Sequence, residues 1–125
     1  VVVFKNFMLR VCADLARKKG YKALIVGDSV GQVASQTLDN IASSRFGVKV
    51  PILSPLICYD KEEIIDLAKK IGTFELSIEK YKDCCSIIAR NPSTSVKIGM
   101  VERVLERIEI DKLVDESLGN LESFS

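Results

Sequence analysis

One stretch constrains this chain more than any other: KALIVGDSVGQVASQT, residues 22–37. Residues 23–26 form a continuous apolar run, as expected of a strand covered on both faces. The run stops at Gly27 and Asp28, and the residues that follow carry helical periodicity. Ser29 and Gln32 have the spacing of a capping box, in which each side chain satisfies a backbone N–H of the first turn. Val30, Val33, Ala34, Thr37, Leu38, Ile41 and Ala42 then recur at i, i+3, i+4, i+7, i+8, i+11 and i+12, one stripe of an amphipathic helix. The sequence therefore predicts strand, glycine turn and helix N-terminus, where backbone N–H groups and the helix dipole can meet an anion. Such sites lie at the carboxyl ends of strands in open α/β sheets. Many glycine turns of this kind bind nothing.

The flanking segments extend the same pattern. The β-branched run at residues 1–4 reads as a strand stub. Phe7, Met8, Val11, Cys12, Leu15 and Ala16 share a helical face, so Cys12 is expected to be a small buried hydrophobe. Arg17, Lys18 and Lys19 complement the dipole of that helix, and Gly20 stops it. A second strand is expected over 48–53, with Pro51 favouring an edge position or a strand start. Asp60 and Glu63 form a capping-box pair ahead of a helix striped by Ile64, Ile65, Leu67, Ala68 and Ile71, closed by Gly72. The character changes over 74–92: residues 77–83 are polar and irregular, a short apolar piece follows at 86–89, and 91–95 reads as a turn. Two further helices follow, one marked by Val96, Met100, Val101, Val104, Leu105 and Ile108, the other over 111–118. Helices alternating with strands through short connections predict an α/β fold, a partial doubly wound parallel sheet followed by C-terminal helices. Two or three strands are few for such a sheet, so part of it is expected to lie outside this chain. The chain opens on Val1 rather than Met, which fits a fragment or a processed form.

Charge and cysteine usage narrow the chemistry. Eighteen basic and seventeen acidic residues leave a net charge of +1, so any contact with nucleic acid has to be local. No apolar run approaches a membrane span and none reads as a signal peptide, which points to a cytoplasmic, reduced protein with no membrane contact. The absence of histidine removes Ser-His-Asp and Cys-His catalysis. Cys12, Cys58, Cys84 and Cys85 lack metal-ligand spacing. Cys84 and Cys85 are adjacent, with Cα atoms about 3.8 Å apart, closer than an unstrained disulfide allows. Lys80, Lys82 and Arg90 lie near them in sequence, opposed by Glu79 and Asp83, and a nearby cation raises the thiolate fraction. Spacing leaves two readings open, incidental loop cysteines or a nucleophile and sulfur carrier.

Three segments together resemble one family. GDSVGQVASQTLDN (27–40), PILSPLICYDKEEIIDLAKKIGT (51–73) and YKDCCSI (81–87) are similar to the C-terminal half of the catalytic domain of tRNA 4-thiouridine synthases. These are tRNA sulfurtransferases also linked to thiamine biosynthesis. The resemblance covers roughly residues 4–118 and implies an adenine-nucleotide α-hydrolase-like fold. It implies ATP, with Mg, as cofactor and tRNA as partner, with cytoplasmic sulfur transfer to a uridine. In that chemistry ATP adenylates the exocyclic carbonyl oxygen and a cysteine persulfide delivers sulfur to the carbon beneath it. A persulfide donor such as a cysteine desulfurase is a further implied partner. Carried over by position, Gly27 and Gln36 match nucleotide contacts. Cys85 matches the persulfide cysteine, because Ile87 and Ile88 mirror the hydrophobic pair that follows it there, and Cys84 is the runner-up. The family's basic contact at the start of the first helix falls on Asn6, beside Lys5, which becomes the candidate cation. The Gly-Gly-Asp-Ser phosphate loop (the PP-loop) and the RNA-binding module have no counterpart here. The chain is thus expected to be one domain half that needs its N-terminal half in cis or in trans. Rival expectations are a non-catalytic nucleotide- or tRNA-binding subunit and a homodimer-forming fragment.

Overall fold

A computed structural model describes residues 1–31, 36–80 and 93–121. Gln32 of the expected capping box, Cys84, Cys85 and the head of the turn at 91–95 lie outside these residues. Among the described residues there are six helices: α1 (Val2–Lys19), α2 (Leu38–Ser44), α3 (Lys61–Lys70), α4 (Phe74–Ser77), α5 (Ile98–Arg107) and α6 (Ile110–Gly119). Strands β1 (Leu24–Ile25) and β2 (Ile52–Leu53) pair in parallel, Leu24 with Ile52 and Ile25 with Leu53. This is the expected α/β order, with the doubly wound sheet only partly visible.

The N-terminal run is helix, not strand. Val2 is buried in the main core with Val101, Leu105, Ile110 and Val114, so tertiary packing overrides the weak β preference of three valines. The face of α1 also differs from the apolar count. Its buried residues are Val2, Asn6, Leu9, Ala13 and Ala16, whereas Met8 and Cys12 are exposed. Cys12 is therefore not the buried hydrophobe the stripe predicts. The reason is Asn6. Its amide donates to the carbonyls of Ser44 (2.9 Å) and Phe46 (2.8 Å) at the end of α2, and its oxygen accepts from Arg10 Nε (2.9 Å). A polar residue with that much to satisfy turns its own side of the helix inward. Arg10 then lies across Gly47, whose φ of 71° favours glycine and whose missing Cβ leaves room for the Arg10 guanidinium.

Helix α3 forms as the sequence predicts. Asp60 Oδ1 accepts from Glu63 N (2.9 Å) and Glu63 Oε2 accepts from Asp60 N (2.8 Å). Pro51 stands immediately before β2 and its carbonyl accepts Leu24 N–H, so the proline marks a strand start. The strands are covered on one side only. Leu24 and Ile52 are half-buried, while Ile25 and Leu53, pointing the other way, are 74% and 53% exposed. The expectation of cover on both faces is not met among the described residues.

Replacing Asn6 by alanine strands the carbonyls of Ser44 and Phe46 and the side chain of Arg10. The expected cost is about 2–3 kcal/mol, read as a lowered urea midpoint.

Candidate functional site at the carboxyl ends of the strands

Both strands run out into loops on the same edge of the sheet, and a single carboxylate organises that edge. Asp28, three residues past the end of β1, is buried, its side chain 5% exposed. Lys5 of α1 pairs with Asp28 Oδ1, and Arg45, just past α2, reaches Oδ2 at 2.9 Å. The same Arg45 nitrogen donates to Ser54 Oγ, the residue after β2. Arg45 Nε is buried without a hydrogen-bond partner among the described residues. Burial by itself would raise the pKa of Asp28. Hydrogen bonds from Lys5 and then Arg45, with their charges, outweigh it and hold the carboxylate below its ordinary value. Two cations and one anion leave one net positive charge at the strand ends.

The glycine loop is held differently from the helix N-terminus that the sequence predicts. Residues 30 and 31 form a turn, and the helix begins at Leu38 with Thr37 as its N-cap. Ser29 is not a cap. Its hydroxyl donates to the carbonyl of Tyr59 (2.7 Å), and its N–H donates to Gln36 Oε1 (2.9 Å). These tertiary bonds satisfy the groups that a capping box would have used. Gly31, with φ of 82°, donates to the carbonyl of Gln36 and closes the loop. Gly27 has no such backbone need, and a Cβ there would meet nothing within 4 Å. Its surroundings are open.

The candidate residues thus separate into groups. Lys5, Gly27 and Gln36 come together around Asp28 and Ser29, with Lys5 already ion-paired and Gln36 holding the loop from below. Asn6 is fully buried with both amide protons used, so it presents nothing to a ligand. Cys84 and Cys85 fall outside the described residues, but the chain that follows them is anchored here. Asn40 Nδ2 donates to the Ser93 carbonyl (2.7 Å), and Asn40 Oδ1 accepts Val96 N–H (2.9 Å). Thr37 Oγ1 donates to the Thr94 carbonyl (2.6 Å), and Ser43 Oγ donates to that of Val96. Arg45 and Asp28 were missed by sequence reasoning. Asp28 was legible as the residue after the strand, whereas nothing local marks Arg45 as its partner.

Asp28→Asn removes one pole of two ion pairs. Because the folded pKa is depressed, the stabilisation from Asp28 is complete above the ordinary carboxylate value and disappears as pH falls through the folded value. At pH 7 the variant should be about 2–4 kcal/mol less stable. Parent and variant should converge in urea midpoint as the pH is lowered past that point.

Comparisons with known proteins agree with one another. The model of the family described as Thiamine biosynthesis protein (ThiI) matches residues 1–110. Proteins named "Probable tRNA sulfurtransferase" are 43% identical over 92% of this chain in Thermoanaerobacter pseudethanolicus and 41% identical over 98% of it in Coxiella burnetii. These alignments span 30% and 31% of the relatives, so the chain covers about a third of their length. The crystal structure of a 4-thiouridine synthetase–RNA complex with bound ATP superposes with a TM-score of 0.85 at 34% identity, over 94% of this chain and 31% of that one. On a match that takes in most of its residues, the chain belongs to the Thiamine biosynthesis protein (ThiI) family.

Proposed function

We propose that this chain is the C-terminal half of the catalytic domain of an ATP-dependent tRNA sulfurtransferase, which forms 4-thiouridine in tRNA. The observation that carries this reading is the close superposition of nearly the whole chain on a 4-thiouridine synthetase solved with RNA and ATP. The strand-end loop then forms one wall of the nucleotide site. Open space at Gly27 suits close backbone approach of a ligand, and the net positive charge of the Lys5–Asp28–Arg45 cluster suits phosphate. Gln36 keeps the Ser29 N–H and the loop in register. Mg would ride on the phosphates with few protein ligands, as it commonly does. Lys5 and Arg45 act here as positioning cations, because each is also engaged by Asp28.

Bound ATP supplies activation, converting the uridine carbonyl oxygen from a poor leaving group into a good one. The outer sulfur of a persulfide on Cys85, loaded by a persulfide donor such as a cysteine desulfurase, would attack the carbon beneath that oxygen, with AMP as the leaving group, leaving the base joined to Cys85 through that sulfur. A second thiolate then attacks the cysteine sulfur, taking the thiolated base as leaving group and forming a disulfide. Cys84 is too close in sequence for an unstrained bond with Cys85, which favours a thiol from elsewhere in the complete enzyme. The anchor at Ser93 leaves eight residues, up to about 28 Å of extended chain, to bring Cys85 back to the loop. The exposed Ile25 and Leu53 face is where elements of the N-terminal half, in cis or in trans, would pack, while its strands would join at the sheet edges. The same bare face supports a second reading, in which the isolated chain is a silent half-site or pairs with a copy of itself.

In the complete enzyme Cys85→Ser should abolish sulfur incorporation into tRNA, measured as 4-thiouridine absorbance, whereas Cys12→Ser should leave it intact. A requirement for Cys84 alone would reverse the assignment between neighbours. The isolated 125-residue chain should bind ATP weakly or not at all by calorimetry, and tight binding would contradict a split site.

A further inference from the structure

At the end of the sheet opposite the glycine loop, the chain turns a corner written RKKGYK, residues 17–22. Gly20 sits at φ 76° and Tyr21 N–H returns to the Ala16 carbonyl, which ends α1 and turns the chain toward β1. Arg17, Lys18, Lys19 and Lys22 are exposed, and the Tyr21 ring between them is 66% exposed. Lys49, just before β2, is exposed on the same end. The strand register carried back three places brings it level with Tyr21, and it lines one groove of about 180 Å³ with Arg10 and Arg17, where Asp14 and Asp111 are the acidic members. Arg17 pairs with Asp14, but among the described residues Lys18, Lys19, Lys22 and Lys49 have no ion-pair partner.

Helix-dipole compensation accounts for Arg17, Lys18 and Lys19 alone. It does not account for Lys22, for Lys49 on a different segment, or for a large aromatic ring left in water among them. Cations at intervals around an exposed aromatic face are the arrangement that holds a nucleic-acid strand, the cations on phosphates and the ring under a base. We infer that the 17–22 corner with Lys49 is an RNA-docking surface, separate from the nucleotide loop, that grips a tRNA backbone and stacks one unpaired base on Tyr21. This rests on the tRNA reading above and adds a surface to it. Lys22 and Asp28 stand at opposite ends of β1, six residues apart, a span of at most about 20 Å. Changes at the corner are therefore expected to alter RNA binding without touching the groups at the ATP site.

The test uses the complete enzyme and unmodified tRNA, with affinity measured from low to physiological salt. Lys18→Ala/Lys19→Ala/Lys22→Ala should weaken binding and flatten the slope of log K against log salt by about 0.7–0.9 for each phosphate no longer neutralised. Tyr21→Ala should lose about tenfold in affinity and Tyr21→Phe should regain it, while ATP affinity stays at the parent value as a control on folding. Parent-like tRNA affinity and salt slope in these variants, in an enzyme that still thiolates tRNA, overturn the surface and leave the function standing. The same holds if the variants lose only binding to an acidic partner protein. An unmodified enzyme that binds tRNA with these sensitivities but never thiolates it overturns the function and leaves the surface.

Discussion

The structure depends on one buried carboxylate. Asp28 joins α1 through Lys5 and the end of α2 through Arg45, which in turn reaches Ser54 beyond β2, so four segments far apart in sequence meet at one group. Burying that charge is costly, and two cations offset the cost because both carboxylate oxygens are used. Removing either cation leaves the carboxylate half-satisfied in a place that water scarcely reaches. The same cluster that closes the fold at the strand ends also sets the charge presented to a ligand there.

The rest of the molecule divides its cohesion in two. The apolar core lies between α1, α5 and α6, around Val2, Val101, Leu105, Ile110 and Val114. Helix α2, which lies nearer the loop, is held mainly by polar bonds: Asn6 to its C-terminal end, and Thr37, Asn40 and Ser43 to residues 93–96. Apolar packing tolerates small shifts, whereas hydrogen bonds fix direction. The segment at 93–96 is thus fixed in direction against α2.

Legibility in the sequence followed the range of the interaction. The capping box at Asp60 and Glu63, the stop at Gly20, the strand start at Pro51 and the two C-terminal helices rest on interactions within a few residues, and they stand where expected. Ser29 was misread because its cap-like spacing competes with Tyr59 and Gln36, partners that local spacing does not reveal. The apolar stripe of α1 holds in part, with Phe7 and Val11 on the core and Ala16 buried, but an apolar count ignores asparagine, and Asn6 faces inward where Met8 and Cys12 do not.

Local pattern and resemblance by themselves determined the α/β order and pointed to the strand ends as the candidate site, with Gly27, Gln36 and Lys5 as the candidates that the structure brings together there. Tertiary structure alone decided that Lys5 is paired with Asp28, that Arg45 completes the cluster, and that Gln36 accepts from the Ser29 and Gly31 N–H groups of the loop. It also decided that, among the described residues, one face of β1 and β2 is exposed. The physical reason is that charge pairing and burial depend on which distant segments meet, and a linear pattern carries the periodicity of each segment but not its neighbours.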